Sequence, residues 1–308
     1  MSKKLSGIFA PISTPFVDGE VAYDQFRSNM LKYRETGLAG FFALGSNGES
    51  MFLTESEKLK VLEVVLQEKA GHQIVMAGAG YESTRQTITF SNQVADMGAD
   101  FVSILTPSYF KKRLTDAAMI GYYTEVADAV SVPVVAYNAP GFTGMTLTPQ
   151  VVESISRHPN VIGLKDTSKG NMSSYLSVAG DDFDILSGTV STLFESMLLG
   201  ARGGVVSLAN AFPAPCCELY EACKALDLDR ARRLHYMLIK LNKSVSGSFG
   251  VAGVKYAAEV AGYHGGDPRK PLLPITDDGR QAIRKAIEEA GVMEVGSRNA
   301  EEKLVAHS

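Results

Sequence analysis

Short apolar runs alternate with amphipathic stretches along this chain, at a regular spacing. The apolar runs are GIFAPIS (7–13), GFFALGS (40–46), QIVMAGAG (73–80), FVSILTP (101–107), PVVAYNAP (133–140), VIGLKDTS (161–168), DILSGT (184–189) and GGVVSLAN (203–210). They have strand length, and they are rich in the branched and aromatic residues that strands favour. Runs apolar at successive positions, such as FFAL and VVAY, suit parallel strands covered on both faces. One run follows the last after roughly 20 to 35 residues, the spacing of βα units.

The stretches between them read as helices with start and stop signals. In LTESEKLKVLEVVLQEKAG, Thr54 is an N-cap with Glu57 three positions on, the capping-box pattern. Leu59, Val61, Leu62, Val65 and Leu66 then recur at helical spacing, and Gly71 marks the end. Ser83 to Met97 repeats the scheme, with Gly98 on its C-terminal side. Eight such units predict an α/β protein, a (β/α)8 TIM barrel over residues 1–224. A doubly wound open sheet is the alternative, but its phosphate-binding fingerprint is missing. GAGYES is not GxGxxG, and GSNGES lacks the P-loop lysine. Residues 225–308 read as a C-terminal helical appendage, with turn-rich GYHGGDPRKPLLP (262–274) inside it and a polar tail after Val292.

Composition narrows the function classes. The 308 residues are 45% hydrophobic and 21% charged, with a net charge of -4, which gives no electrostatic case for binding nucleic acid or an anionic membrane. No apolar run reaches the 18 residues of a membrane span, and MSKKLSGIFAPIS lacks a signal-peptide core. Cys216, Cys217 and Cys223 fall in one apparent helix and are odd in number, which favours a reducing, cytoplasmic setting.

In a parallel barrel the chemistry gathers at the C-terminal strand ends. Those ends carry Ser46 and Asn47, Tyr109, Tyr137, Lys165, then Ser187-Gly188-Thr189 and Val205-Val206-Ser207. No His, Asp or Glu cluster has metal-ligand spacing, so neither a metal nor another cofactor is expected. The five histidines are read as structural. A lysine leaving the apolar strand VIGLK can form a Schiff base with a carbonyl once burial, here expected from Ile162 and Leu164, strips its charge. Tyr137 can carry protons, helped by a hydroxyl chain through Ser46 and Tyr109. Each has a plainer alternative: Asn47-Gly48 as a turn, the tyrosines as core, and Asp166 as the partner of a neighbouring base.

The motifs GSNGES (45–50), YNAPGFTG (137–144), GLKDTS (163–168), GARGGVVSLAN (200–210) and FGVAGVKYAAEVAGYHGGDPRKPL (249–272) together resemble the dihydrodipicolinate synthase / N-acetylneuraminate lyase family of class I, pyruvate-dependent aldolases. The resemblance implies that Lys165 forms the Schiff base with pyruvate or another 2-oxo acid and that Tyr137 is the acid/base. It implies that Ser46 relays protons and that Tyr109 reaches across a dimer interface. Asn47, Thr167, Gly188 and the Val206 carbonyl fall where ligand is contacted. A homotetramer, a dimer of dimers, is the implied assembly.

Members that make dihydrodipicolinate carry an arginine for the semialdehyde's carboxylate where this chain has Phe142. GSNGE with GLKDT is closest to the 4-hydroxy-2-oxoglutarate aldolases. The expected reaction is therefore cleavage or formation of a 4-hydroxy-2-oxo acid from pyruvate and a short aldehyde such as glyoxylate. The alternatives are 4-hydroxy-tetrahydrodipicolinate synthase, with Lys111, Lys112 or Arg113 as replacement anchor, and a 2-keto-3-deoxy sugar acid aldolase or dehydratase. A barrel that binds ligand without turnover is the rival from outside the enzymes.

Overall fold

The computed structural model describes residues 5–293; the expected polar tail, from residue 294 on and including His307, lies outside the described residues. All eight apolar runs form strands, in order: β1 (Gly7–Ala10), β2 (Gly40–Ala43), β3 (Ile74–Gly78), β4 (Phe101–Leu105), β5 (Val134–Asn138), β6 (Val161–Asp166), β7 (Asp184–Ser187) and β8 (Gly203–Val205). Each pairs in parallel with the next, and β8 closes onto β1. A two-stranded hairpin, Phe16–Val17 with Glu20–Val21, follows β1.

The strands are shorter than their apolar runs, and each early stop has a local cause. Pro11, which has no N–H to donate, follows the end of β1. Leu44 takes a left-handed φ of 59° after β2, so the chain turns at the motif GSNGE. The run after β8 coils into a 3₁₀ turn at Ser207–Asn210.

Helices α1 (Tyr23–Arg34), α2 (Glu55–Glu68), α3 (Thr84–Asp96), α4 (Asp116–Ala129), α5 (Pro149–Ile155), α6 (Met172–Val178), α7 (Leu193–Leu199) and α8 (Pro213–Lys224) surround the barrel. The capping box forms as read: Thr54 accepts from Glu57 N, and Glu57 Oε2 accepts from Thr54 N at 2.8 Å. Ser83 caps α3 with its side chain alone, accepting from Gln86 N. The three cysteines sit in α8 as free thiols.

Two cores result from strand alternation. Phe9, Phe42, Met76, Phe101, Val135, Tyr137 and Leu186 fill the barrel interior. Ile8, Phe41, Val75, Val102, Ala136 and Leu164 face outward onto the helices. Lys165 therefore points inward, and Leu164 cannot supply its apolar surroundings as the sequence suggested. Register adds a second detail: β5 pairs Val134 with Val161 and Val135 with Gly163, passing over Ile162. That irregularity resets the alternation so that Ile162 also packs toward the interior.

The appendage consists of α9 (Leu228–Asn242), α10 (Ser248–Val260) and α11 (Asp277–Ala290). Helix α9 lies against α8, and α11 packs on α9 and α10. The segment after α10 returns to the barrel mouth. There Lys255, fully buried, meets Glu49 at 2.7 Å, and Arg269 holds Glu57 through two bonds of 2.8 and 2.6 Å. No helix of the described residues is long and apolar enough to cross a membrane.

Candidate active site

Register places the central pair. Tyr137 on β5 lies directly opposite Lys165 on β6, and both side chains turn into the barrel. Lys165 is 3% exposed. Its Nζ sits 4.0 Å from the centre of the Tyr137 ring and 4.3 Å from that of Phe42. Those two rings meet edge-on, with centroids 5.6 Å apart, so they form two walls of one amine pocket. Burial holds the Lys165 amine well below the ordinary lysine range. No carboxylate lies within ion-pair distance among the described residues to restore the charge. The lysine is thus held toward its nucleophilic, neutral form.

Tyr137 is also buried, and its phenol is pushed up to about 12. Burial drives that rise, and a hydrogen bond with the Ser46 hydroxyl opposes it. Ser46 and Tyr137 line the same cavity.

The Asp166 partner expected from the sequence is not a base. Asp166 faces outward, where Oδ1 accepts from Asn138 Nδ2 at 2.7 Å and from Ser168 N at 3.0 Å. Ser168 Oγ donates to Oδ2 at 2.9 Å. Asn138 in turn contacts the Tyr175 hydroxyl, which donates to the Leu147 carbonyl at 2.6 Å. This buried network locks the ends of β5 and β6 side by side, one residue beyond the reactive pair.

The remaining residues divide. Asn47 Nδ2 donates to Ser207 Oγ at 2.9 Å, which ties the β2 loop to the end of β8. Thr167 donates its hydroxyl to the Asn138 carbonyl at 3.0 Å. Gly188 N donates to the Asp166 carbonyl at 2.6 Å. A Cβ at position 188 would overlap Thr167 Cγ2, so only glycine allows β6 and β7 to approach this closely. Val206 is fully buried, and its carbonyl already accepts from Ala209 N at 3.1 Å.

Tyr109 stands apart. It is 80% exposed, stacks edge-on against Phe110, and is not brought to Tyr137 within the chain. Glu82 fixes this segment by accepting from the backbone N–H groups of Ser108 and Tyr109.

A cavity of about 500 Å³ opens from Phe42, Ser46 and Tyr137 and passes Phe142 at its rim. Val251 and Leu272 of the appendage close part of its wall. Three charged residues line it: Glu49, Lys58 and Glu82. Lys58 escaped the sequence reading, because one lysine on an exposed helical turn carries no signal. Its amine donates to the Tyr81 hydroxyl at 3.1 Å and has no carboxylate within ion-pair distance among the described residues. Among the described residues no group of His, Cys, Asp and Glu gathers as metal ligands.

Residues 4–290 match the dihydrodipicolinate synthetase family. The chain belongs to that family. Members are class I aldolase-type enzymes that use pyruvate and an aldehyde, so this chain is an enzyme of the aldolase/lyase kind. It is 32% identical over 287 residues to the 4-hydroxy-tetrahydrodipicolinate synthase of Methanospirillum hungatei, covering 91% of this chain and 98% of that one. The dihydrodipicolinate synthase of Acinetobacter baumannii, solved with pyruvate, superposes with a TM-score of 0.88 at 28% identity, over 94% of this chain and 100% of that one. YagE, a prophage protein of the same family from E. coli K12 and also solved with pyruvate, gives 0.87 at 26% identity, over 94% and 99%.

Proposed function

We propose that Lys165 forms a Schiff base with pyruvate, or another 2-oxo acid, and that the chain makes or breaks a carbon–carbon bond to an aldehyde. The observation that carries this is the Lys165 amine, buried without a carboxylate and 4.0 Å from the ring of Tyr137. Nζ attacks C2, and the carbonyl oxygen departs as water, taking one proton from the amine and one from solvent, which leaves the iminium. The iminium then draws electrons as C3 gives up a proton. In the forward sense C3 of the enamine bonds to the aldehyde carbon, and the aldehyde oxygen takes a proton to become a hydroxyl. Water finally releases the product from the lysine. Tyr137 carries the C3 and aldehyde-oxygen protons, with Ser46 beside it on the cavity wall.

Phe142 at the cavity rim weighs against a semialdehyde carboxylate held at that position, and so supports a 4-hydroxy-2-oxo acid built on a shorter aldehyde such as glyoxylate, whose own carboxylate would take another partner. An apolar ring cannot make the paired bonds that an arginine gives a carboxylate. The names of the relatives favour the second reading, condensation of pyruvate with aspartate semialdehyde as in 4-hydroxy-tetrahydrodipicolinate synthase. Lys58, a cavity-lining cation, suits the carboxylate that either aldehyde carries. In either reading the exposed Tyr109 and Phe110 suit contact with a second copy, and a dimer of dimers is the proposed assembly.

Borohydride reduction in the presence of pyruvate, followed by peptide mass analysis, tests the chemistry. Modification confined to Lys165 is expected, and an unmodified Lys165 ends the Schiff-base account. Relative turnover of 4-hydroxy-2-oxoglutarate and of pyruvate plus aspartate semialdehyde then decides between the two readings.

A further inference from the structure

Glu49 is a charged residue in a place that does not tolerate loose charge. It is 3% exposed, and both carboxylate oxygens are occupied from the C-terminal appendage. Oε1 accepts from Lys255 Nζ at 2.7 Å, and Oε2 accepts from the backbone N–H of Arg269 at 2.8 Å. Lys255 spends a second bond on the Asp267 carbonyl at 2.9 Å and lies 4.4 Å from the centre of the Phe16 ring. The contact spans 206 positions of sequence and joins α10 to the loop after β2.

That loop is short and internally tied. Glu49 takes a left-handed φ of 53°, and its N–H donates to the carbonyl of Ser46 at 3.1 Å. Gly48 N donates to the Gly45 carbonyl at 3.1 Å, and the Gly48 carbonyl accepts from the Thr14 hydroxyl at 2.8 Å. A shift of Glu49 is therefore passed directly to Ser46, which lines the same cavity wall as Tyr137.

We infer that Lys255 is a positioning residue of the active site: acting through Glu49, it sets the Ser46 hydroxyl against the Tyr137 phenol. The inference rests on the reading of Tyr137 as the proton carrier. It predicts that the appendage governs proton transfer while leaving Schiff-base formation at Lys165 intact. A merely structural ion pair would instead lower the amount of folded protein and change every step alike.

The test is a double-mutant cycle between Lys255→Met and Ser46→Ala, read on kcat of soluble, folded enzyme. Each single variant is expected to lower kcat roughly 10- to 100-fold, the effect of a misplaced catalytic group. In the Ser46→Ala background, Lys255→Met should cost less than roughly threefold more, because the path it acts through is already cut. KM for pyruvate and borohydride trapping at Lys165 should stay close to wild type in both. Independent, multiplying losses overturn the inference, and so does wild-type kcat in Lys255→Met. Where Lys255→Met does not fold, Glu49→Asp shortens the link by one methylene, keeps the charge and enters the same cycle with the same outcomes. If wild-type enzyme is not trapped by pyruvate, the functional reading itself fails, and the cycle is not what sank it.

Discussion

Replacing Tyr137 with phenylalanine removes one oxygen and little else. The ring keeps its edge-on contact with Phe42 at 5.6 Å and its place 4.0 Å from the Lys165 amine. What is lost is the phenol and whatever it shares with the Ser46 hydroxyl on the same cavity wall. A buried hydrogen bond is worth about 1 kcal/mol net, less than a tenfold change in rate. Loss of a general acid–base group is worth roughly 10²- to 10⁴-fold, or about 3–5 kcal/mol of barrier. Steady-state turnover should therefore fall more than roughly 100-fold, while the enzyme still traps pyruvate on Lys165.

Stability supplies a second reading of the same variant. The Tyr137 pKa is raised from 10.0 to about 12, so its stabilising share is complete below pH 10 and is lost as pH climbs through 12. The unfolded chain gives up its proton first, which makes stability fall with rising pH. Two units at about 1.4 kcal/mol each give wild type a loss of about 3 kcal/mol across that window that Tyr137→Phe does not share. The other buried tyrosines contribute equally to both proteins and cancel. Denaturant melts at the two ends of the window measure the difference. Turnover within threefold of wild type, or failure to trap pyruvate, refutes the role given to the phenol.

Lys165→Met should be more stable than wild type at pH 7, by on the order of 1–2 kcal/mol, since function and stability conflict at a buried amine. The folded pKa of Lys165 is depressed by burial, so the unfolded chain takes up its proton first as pH drops below the ordinary lysine value. The gain should vanish above about pH 11, where both states are neutral, and a variant less stable at pH 7 contradicts it. Phe142→Arg should lower turnover of neutral aldehydes, and unchanged kinetics would place residue 142 away from substrate. Lys58→Met should raise KM for carboxylate-bearing aldehydes roughly tenfold or more while sparing neutral ones, the worth of one charge-assisted bond. Equal effects on both classes would show that Lys58 serves packing against Tyr81 alone.

The barrel was legible because its signals are local. Eight apolar runs at βα spacing specify the strands, and the Thr54–Glu57 box specifies where α2 begins. Strand ends were not legible, since the apolar character of GFFALGS continues past Ala43 while a positive φ at Leu44 turns the chain. Lys165, Tyr137 and Ser46 could be named because all three lie at the C-terminal ends of strands, on one rim. The partners of Asp166, Asn138 and Ser168, were not legible, because they are uncharged and leave no pairing pattern to read. The Glu49–Lys255 contact depends on how the appendage folds back, and nothing within either segment announces it. Tyr109 marks a different boundary: its exposed ring finds no place in its own chain's site.

Two lysines among the described residues are buried, and their company differs. Lys255 is enclosed with a carboxylate and a carbonyl. Lys165 is enclosed by the rings of Phe42 and Tyr137, which also line the cavity and its mouth. An acylating or aldehyde-bearing probe small enough to enter that mouth should mark Lys165 ahead of the many exposed ammonium groups, whose lone pairs are tied up by protons at neutral pH. The fold thereby offers a built-in handle for labelling the enzyme at one atom, with no engineered tag.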